Sequence, residues 1–289
     1  MRSHIRIGGV PEHFNLPWRL AAERDMFSSH DIDLAWTIYA GGTGAMTQAL
    51  SNGELDIAIL LTEGFISAAS QGLKAKIAKV YIQTPLTWGI YTGANSKFDT
   101  IDDASQKKYA ISRFGSGSHL MAMIHARQRD INLIKENFSV VNSLHGAVQS
   151  LVRNETQLFY WEKFMTRPYI RNGELKLVGE FSAPWSSFLV IASDEVLATK
   201  PHVVNQLLQI MNAECIAFKQ DNSSAIHLSK KFEMSVPEAR NWLHDTQWNY
   251  DYTVEEKSLI NAKEALVSIR MCDEKLNVNS LISPWLKII

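Results

Sequence analysis

Near the N-terminus the apolar positions switch repeatedly between the two-residue period of a strand and the wider period of a helix. Ile5–Gly9 reads as a strand, Pro17–Phe27 as an amphipathic helix and Ile32–Tyr39 as an alternating strand. The turn Gly41–Gly44 leads into a helix over Ala45–Leu50, closed by Asn52 and Gly53, and the apolar run Leu55–Leu61 completes the unit. The same order returns about a hundred residues later. There the strand Tyr109–Ser112 runs into the glycine-rich turn Phe114–Ser118 and a helix over His119–Arg129. A strand Phe138–Val141, a short helix Gly146–Arg153 and a strand Gln157–Trp161 follow. Around the third strand the copies align almost residue for residue, Leu50–Ile57 against Leu151–Leu158.

Strands separated by short helical crossovers predict parallel pairing, because a parallel connection needs a crossover. The expected fold is therefore α/β, with two βαβαβ-based lobes and a cleft between them. Extended, aromatic-rich segments follow each copy, Lys76–Thr92 and Leu175–Ala192, and read as strands that travel between lobes. The expected division puts residues 1–92 and 190–289 in the first lobe and 93–189 in the second. From Ser193 the chain is helical, with a capping box at Ser235–Glu238, another at Thr253–Glu256, and helices over Pro201–Lys219, Pro237–Gln247 and Val254–Cys272. These C-terminal helices are expected to pack on the first lobe.

Composition narrows the function classes. The 289 residues are 46% hydrophobic and 20% charged, with a formal net charge of −1. No basic field exists to draw in nucleic acid or anionic lipid. The longest apolar run, Ile57–Leu61, is too short to span a bilayer, so no membrane insertion is expected. Cys215 and Cys272 stand outside any CxxC or Cys/His cluster and read as reduced packing thiols. A strand pattern begins by Ile5, leaving no room for a signal peptide. The expected location is cytoplasmic as the sequence is written, or periplasmic if an export signal has been trimmed.

In open α/β sheets a ligand sits beyond the carboxyl ends of the strands, where strand order reverses. In the first lobe that rule selects Glu12, His13, Phe14 and Asn15, the turn Gly42, Thr43 and Gly44, and Thr62 with Glu63. In the second it selects Arg113, Gly115, Ser116, Gly117, Ser118 and His119, the segment Leu144–Gly146, and Trp161, Glu162 and Lys163. Trp88 and Trp185, on the travelling segments, join the aromatic residues expected at the cleft. Both glycine turns precede helices, whose free N–H groups favour anions or carbonyl oxygens. Neither is a Walker A loop or a dinucleotide fingerprint. Trp161 beside Glu162 suits a flat, nitrogen-bearing or cationic ligand. His13 and His119 lack metal-ligand spacing, and no nucleophile elbow or paired cysteine marks a catalytic centre. The expected occupant is therefore a small-molecule ligand, with no metal and no cofactor.

Phe14–Arg24, Gly41–Ala45, Asn52–Ala58 and Ser112–Ser118 resemble the substrate-binding proteins for sulfonates, nitrate and thiamine-pyrimidine precursors, often called NMT1/THI5-like. The resemblance spans about residues 4 to 250. It implies a type II periplasmic-binding-protein fold whose lobes close on a thiamine-pyrimidine-like or sulfonate-like ligand, with an ABC permease as partner. The cysteine-rich CCCFC motif of the yeast-type pyrimidine synthases is absent, which removes the reason to assign their iron- and pyridoxal-dependent chemistry. A second reading stays open: a cytoplasmic enzyme on this fold, with pyrimidine-precursor or menaquinone-pathway-like chemistry and His13, Glu63, His119 and Glu162 as acid–base groups.

Overall fold

The computed structural model describes residues 2–289. The first unit runs β1 (Ser3–Gly9), α1 (Leu16–Glu23), β2 (Ile32–Ile38), α2 (Gly42–Ser51), β3 (Ile57–Leu61), α3 (Thr62–Ser70) and β4 (Ala75–Ile82). The second runs β5 (Thr87–Gly93), α4 (Ile101–Ala104), β6 (Tyr109–Ile111), α5 (Gly117–Gln128), β7 (Phe138–Val140), α6 (Leu144–Val152), β8 (Leu158–Glu162), α7 (Arg167–Arg171) and β9 (Leu175–Ser182). The chain then returns through β10 (Phe188–Ser193) into α8 (Asp194–Thr199), α9 (Pro201–Gln220), α10 (Ser224–Phe232), α11 (Val236–Asp245), β11 (Thr253–Val254), α12 (Glu256–Ser268) and β12 (Lys287–Ile288).

Two five-stranded sheets form, in the orders β2-β1-β3-β10-β4 and β7-β6-β8-β5-β9. Each holds a parallel trio from its own βαβαβ unit. Each also takes one antiparallel strand that enters from the other half of the chain: β10 between β3 and β4, and β5 between β8 and β9. The sheets are thus mixed rather than wholly parallel. Because β5 pairs with β8 and β9, Thr87–Gly93 belongs to the second sheet. The crossovers between sheets fall at residues 83–86 and 183–187, short of the residue-92 and residue-189 boundaries expected from the sequence.

Burial explains the strand choice. Ile57, Ala58, Ile59 and Leu60 of β3 are all fully buried, as a continuous apolar run must be when helices cover both faces of its sheet. The repeat persists in backbone detail. Gly53 and Asn154, matched in the sequence alignment, both close their helices in the left-handed region, at φ of 69° and 57°. Glycine reaches that region freely and asparagine tolerates it.

The C-terminal helices pack mainly on the first lobe, α9 against α1 and α12 against α3, but α12 also lies against α5 of the second. Ser235 and Glu238 form the expected capping box of α11. The box expected at Thr253 does not form, since α12 begins after Glu255 with no side-chain cap. Helices α3, α4 and α7 were not read from the sequence pattern, and α8 and α10 fall in the stretch read only as helical from Ser193 onward. Cys215 and Cys272 are both free thiols.

Candidate functional site

A cavity of about 330 Å³ opens between the sheets. The first lobe contributes Val10–Glu12 after β1, Ala40–Thr43 after β2, and Leu61 at the end of β3. The second contributes Ser112 and Arg113 after β6, Ser143–His145 after β7, and Trp161 and Glu162 at the end of β8. Leu86, Trp88 and Phe188 close the floor where the chain crosses between lobes. The loops from the parallel strands enter at their carboxyl ends, as the topology demands, while β5 and β10 present their amino ends at the floor.

Arg113 makes part of the cavity wall electropositive. Arg113 reaches from the second lobe onto the Gly41–Gly44 turn of the first; a Cβ added at Gly44 would fall 2.8 Å from its Nε. Among the described residues no carboxylate pairs with this guanidinium. Burial lowers its pKa, but an arginine stays charged at neutral pH. The N-terminus of α2 starts at the same turn, adding unsatisfied N–H groups. Below, Ser116 caps α5 by accepting from the His119 backbone N–H, Ser118 Oγ accepts from Ser112 N–H at 3.0 Å, and His119 Nδ1 accepts from Gly115 N–H at 3.1 Å. Burial pushes His119 down to about 4, so it is neutral, as an accepting Nδ1 requires. These bonds fix the turn before any ligand arrives.

Glu12 and Glu162 make another part of the wall acidic. Glu162 is 4% exposed. Its Oε2 accepts from the backbone N–H groups of Phe164 and Met165, both at 2.8 Å. Its Oε1 accepts no hydrogen bond among the described residues and lies 3.7 Å from His13 Nε2, beyond hydrogen-bond reach. Burial, and then the nearby charge of Glu12, push Glu162 up to about 8. Loss of hydration pushes the half-buried Glu12 up to about 7. His13 is fully buried among Phe14, Phe164, Phe232 and Trp242, and burial pushes it down to about 3. A neutral imidazole therefore sits behind two acids of near-neutral pKa. Trp161 stacks on Phe159 at 5.2 Å, and its buried Nε1 has no partner among the described residues.

Of the residues selected from sequence, Glu12, Gly42, Thr43, Trp88, Arg113, Ser116, Gly117, Ser118, Trp161 and Glu162 line this cavity. His13, Phe14 and Asn15 lie behind it in the core, while Gly44, Gly115 and His119 support the two turns. Lys163 turns outward to Glu180 at 2.6 Å. Thr62, Glu63 and Trp185 serve the crossover instead. Because α3 starts directly at the end of β3, its first turn points at residues 183–187. There Thr62 Oγ1 donates to Ser186 O, and Glu63 Oε2 accepts from Trp185 Nε1 at 2.9 Å. Sequence reasoning missed Leu61, Leu86 and Phe188, which read only as strand core, and Met165 and Tyr169, which carry no pattern signal. Ser143 and His145 flank or fall within the selected β7 strand-end segment.

No cluster of three or more His, Cys, Asp or Glu among the described residues could hold a metal ion. No described helix is long and apolar enough to cross a membrane.

The family described as Ca3427-like PBP matches residues 88–181, the second lobe. No curated protein matches by sequence. Among solved structures, the Candida albicans CA3427 gene product, which defines a family with the generic periplasmic-binding-protein fold, superposes with a TM-score of 0.87 at 25% identity, covering 97% of this chain and 96% of that one. The aliphatic sulphonate-binding protein SsuA of Escherichia coli gives 0.73 at 15% identity and 98% coverage of both chains. The alkanesulfonate-binding SsuA of Xanthomonas axonopodis pv. citri, bound to MOPS, gives 0.79 at 12% identity and 100% coverage of both. The chain has the two-lobed type II periplasmic-binding-protein fold, and its likeness lies with the Ca3427-like and sulfonate-binding substrate-binding proteins.

Proposed function

We propose that this chain is a solute-binding protein whose lobes close on a small metabolite carrying a sulfonate-like anionic head group. The observation that carries this reading is Arg113: a half-buried guanidinium without a carboxylate partner, held at a cavity wall against a glycine turn that opens a helix. Such a charge is unfavourable to bury alone and becomes favourable with an anion against it. Trp88 and Trp161 offer flat apolar surface for the rest of the ligand. The likeness to SsuA supports the head-group chemistry. An ABC permease as the receiving partner is supported by further structures of this fold that are described as components of ABC import systems.

Thermal unfolding with a panel of alkyl- and arylsulfonates tests the proposal. A bound ligand stabilises the fold by RT ln(1 + [L]/Kd), about 2.7 kcal/mol at a hundredfold excess over Kd. Arg113→Met should lower affinity about 10- to 100-fold, the worth of a charge-assisted hydrogen-bond pair, without lowering the melting temperature of the unliganded protein. Ligand shifts that survive this substitution would remove the basis of the reading.

A second reading has one observation behind it. Two cavity acids near neutral pKa are suited to proton transfer, so the same cleft could serve an enzyme of pyrimidine-precursor or menaquinone-pathway-like chemistry. Recovery of a bound metabolite chemically unchanged after incubation would count against it.

A further inference from the structure

The geometry points to a zwitterionic ligand: an anionic head against Arg113 and, across an apolar body, a protonated nitrogen seated between Glu12 and Glu162. This inference rests on the anion-binding reading and adds a second pole to it. Three observations carry it. First, the two acids come from different lobes, Glu12 after β1 and Glu162 at the end of β8, and both line the one cavity. Closing the lobes brings two carboxyls together, a repulsive arrangement unless a cation or a proton lies between them. Second, one oxygen of Glu162 is already committed to two backbone N–H groups, while Oε1 is free in a side chain only 4% exposed. His13 Nε2, at 3.7 Å, is too distant to bond it. An uncommitted oxygen on a side chain this buried is open to a hydrogen-bond partner from the cavity, and a cation there would favour the ionised form. Third, no ion pair joins Arg113 to either acid among the described residues, and Arg167, whose charge favours ionised Glu162, is itself paired with Glu238. Each pole is left to a partner from outside.

The stretch between the poles sets the ligand's body. Leu61, Leu86, Trp88, Met165 and Phe188 are apolar, and a volume of about 330 Å³ exceeds what a two-carbon spacer fills. An N-alkyl or N-cycloalkyl aminosulfonate satisfies all three parts, with its ring against the tryptophans.

Three probes separate the poles: cyclohexylaminoethanesulfonate, which has both charges; cyclohexylpropanesulfonate, in which the nitrogen becomes a methylene; and ethylcyclohexylamine, which lacks the sulfonate. Calorimetric titration of the full chain should show the zwitterion binding at least about tenfold tighter than the anion, the range of a charged hydrogen bond to a buried partner. Glu162→Gln and Glu12→Gln should each bring that ratio toward one, while binding of the anion stays level or strengthens. A melting temperature of Glu162→Gln at or above the wild type excludes misfolding as the cause. Equal binding of zwitterion and anion, unmoved by either glutamine, would overturn the second pole and leave the anion site standing. Tightest binding by the amine alone would overturn the pairing with Arg113. No binding of any probe at millimolar concentration would overturn both readings.

Discussion

Glu162 loses its water on folding, meets Glu12 across the cleft, and receives in return two backbone N–H groups. Burial and the neighbouring acid outweigh those bonds, and its pKa rises to about 8 from an ordinary 4.5. A raised carboxyl pKa means that the folded state holds its proton longer than the unfolded chain does. Its stabilising contribution is complete below about pH 4.5 and is lost as pH climbs toward 8. Glu12, raised to about 7, adds a loss of the same sign, and Arg167, whose charge favours ionised Glu162, opposes it. Glu162→Gln keeps an oxygen for the two N–H groups and carries no proton to lose. The variant should match the wild type at pH 5 and exceed it at pH 8 by ~1–3 kcal/mol, read from urea unfolding of the unliganded protein. Parallel stability curves for the two proteins would mean that Glu162 is not held as an acid. This residue was legible in the sequence because it closes a strand beside a tryptophan. Glu63 follows the equivalent strand, in the first turn of α3, and was legible only by position. Its side chain follows the first turn of α3 away from the cavity, and no local pattern encodes that direction.

At the scale of elements, the glycine turns show why a short motif constrains more than its own backbone. Gly44 lies inside α2, where alanine is the better helix former by up to about 1 kcal/mol. Its φ imposes no need for glycine, yet an added Cβ would meet the Arg113 guanidinium at 2.8 Å. The obstacle is the far end of a flexible side chain, so the fold can yield and the guanidinium moves. Gly44→Ala should therefore leave the melting temperature unchanged or raised while lowering sulfonate affinity about tenfold or more. Stability and binding moving together would show instead that Gly44 serves packing. The order of elements was readable because the hydrophobic period changes with each one. The direction of β5 and β10 was not, since antiparallel insertion of a strand from the other lobe is fixed by contacts about a hundred residues apart. That same non-local pairing moved the crossovers away from the expected boundaries, and with them Trp88 onto the cavity floor.

For the whole molecule, the lobes meet where α12 and α3 lie against α5 and at two further places. Inside the cleft, Arg113 rests on the opposite lobe, and a Cβ on Gly117 would fall 2.9 Å from Leu61. Outside it, α7 of the second lobe meets α11, which is anchored on the first by Trp242 packed against His13 and Phe14 at 4.5 and 5.2 Å. Arg167 Nη1 and Arg171 Nη1 lie 2.9 and 3.1 Å from the two oxygens of Glu238, and Arg171 also donates to Glu233 O. These pairs are partly exposed, so each is worth only ~0.2–1 kcal/mol. An open–closed equilibrium balanced within a few kcal/mol is sensitive to changes of that size. Glu238 also closes the capping box of α11, a task glutamine performs as well, so Glu238→Gln removes the charge and keeps the helix. Without ligand, small-angle scattering should then report a larger radius of gyration. With saturating ligand the two proteins should coincide, and affinity should fall about two- to fivefold. Raising salt to about 1 M should shift the wild type in the same direction, because exposed pairs are screened within a few ångströms. An unliganded scattering profile indifferent to both the substitution and the salt would mean that the cleft contacts and the packing on α5 hold the lobes together without this ion-pair cluster.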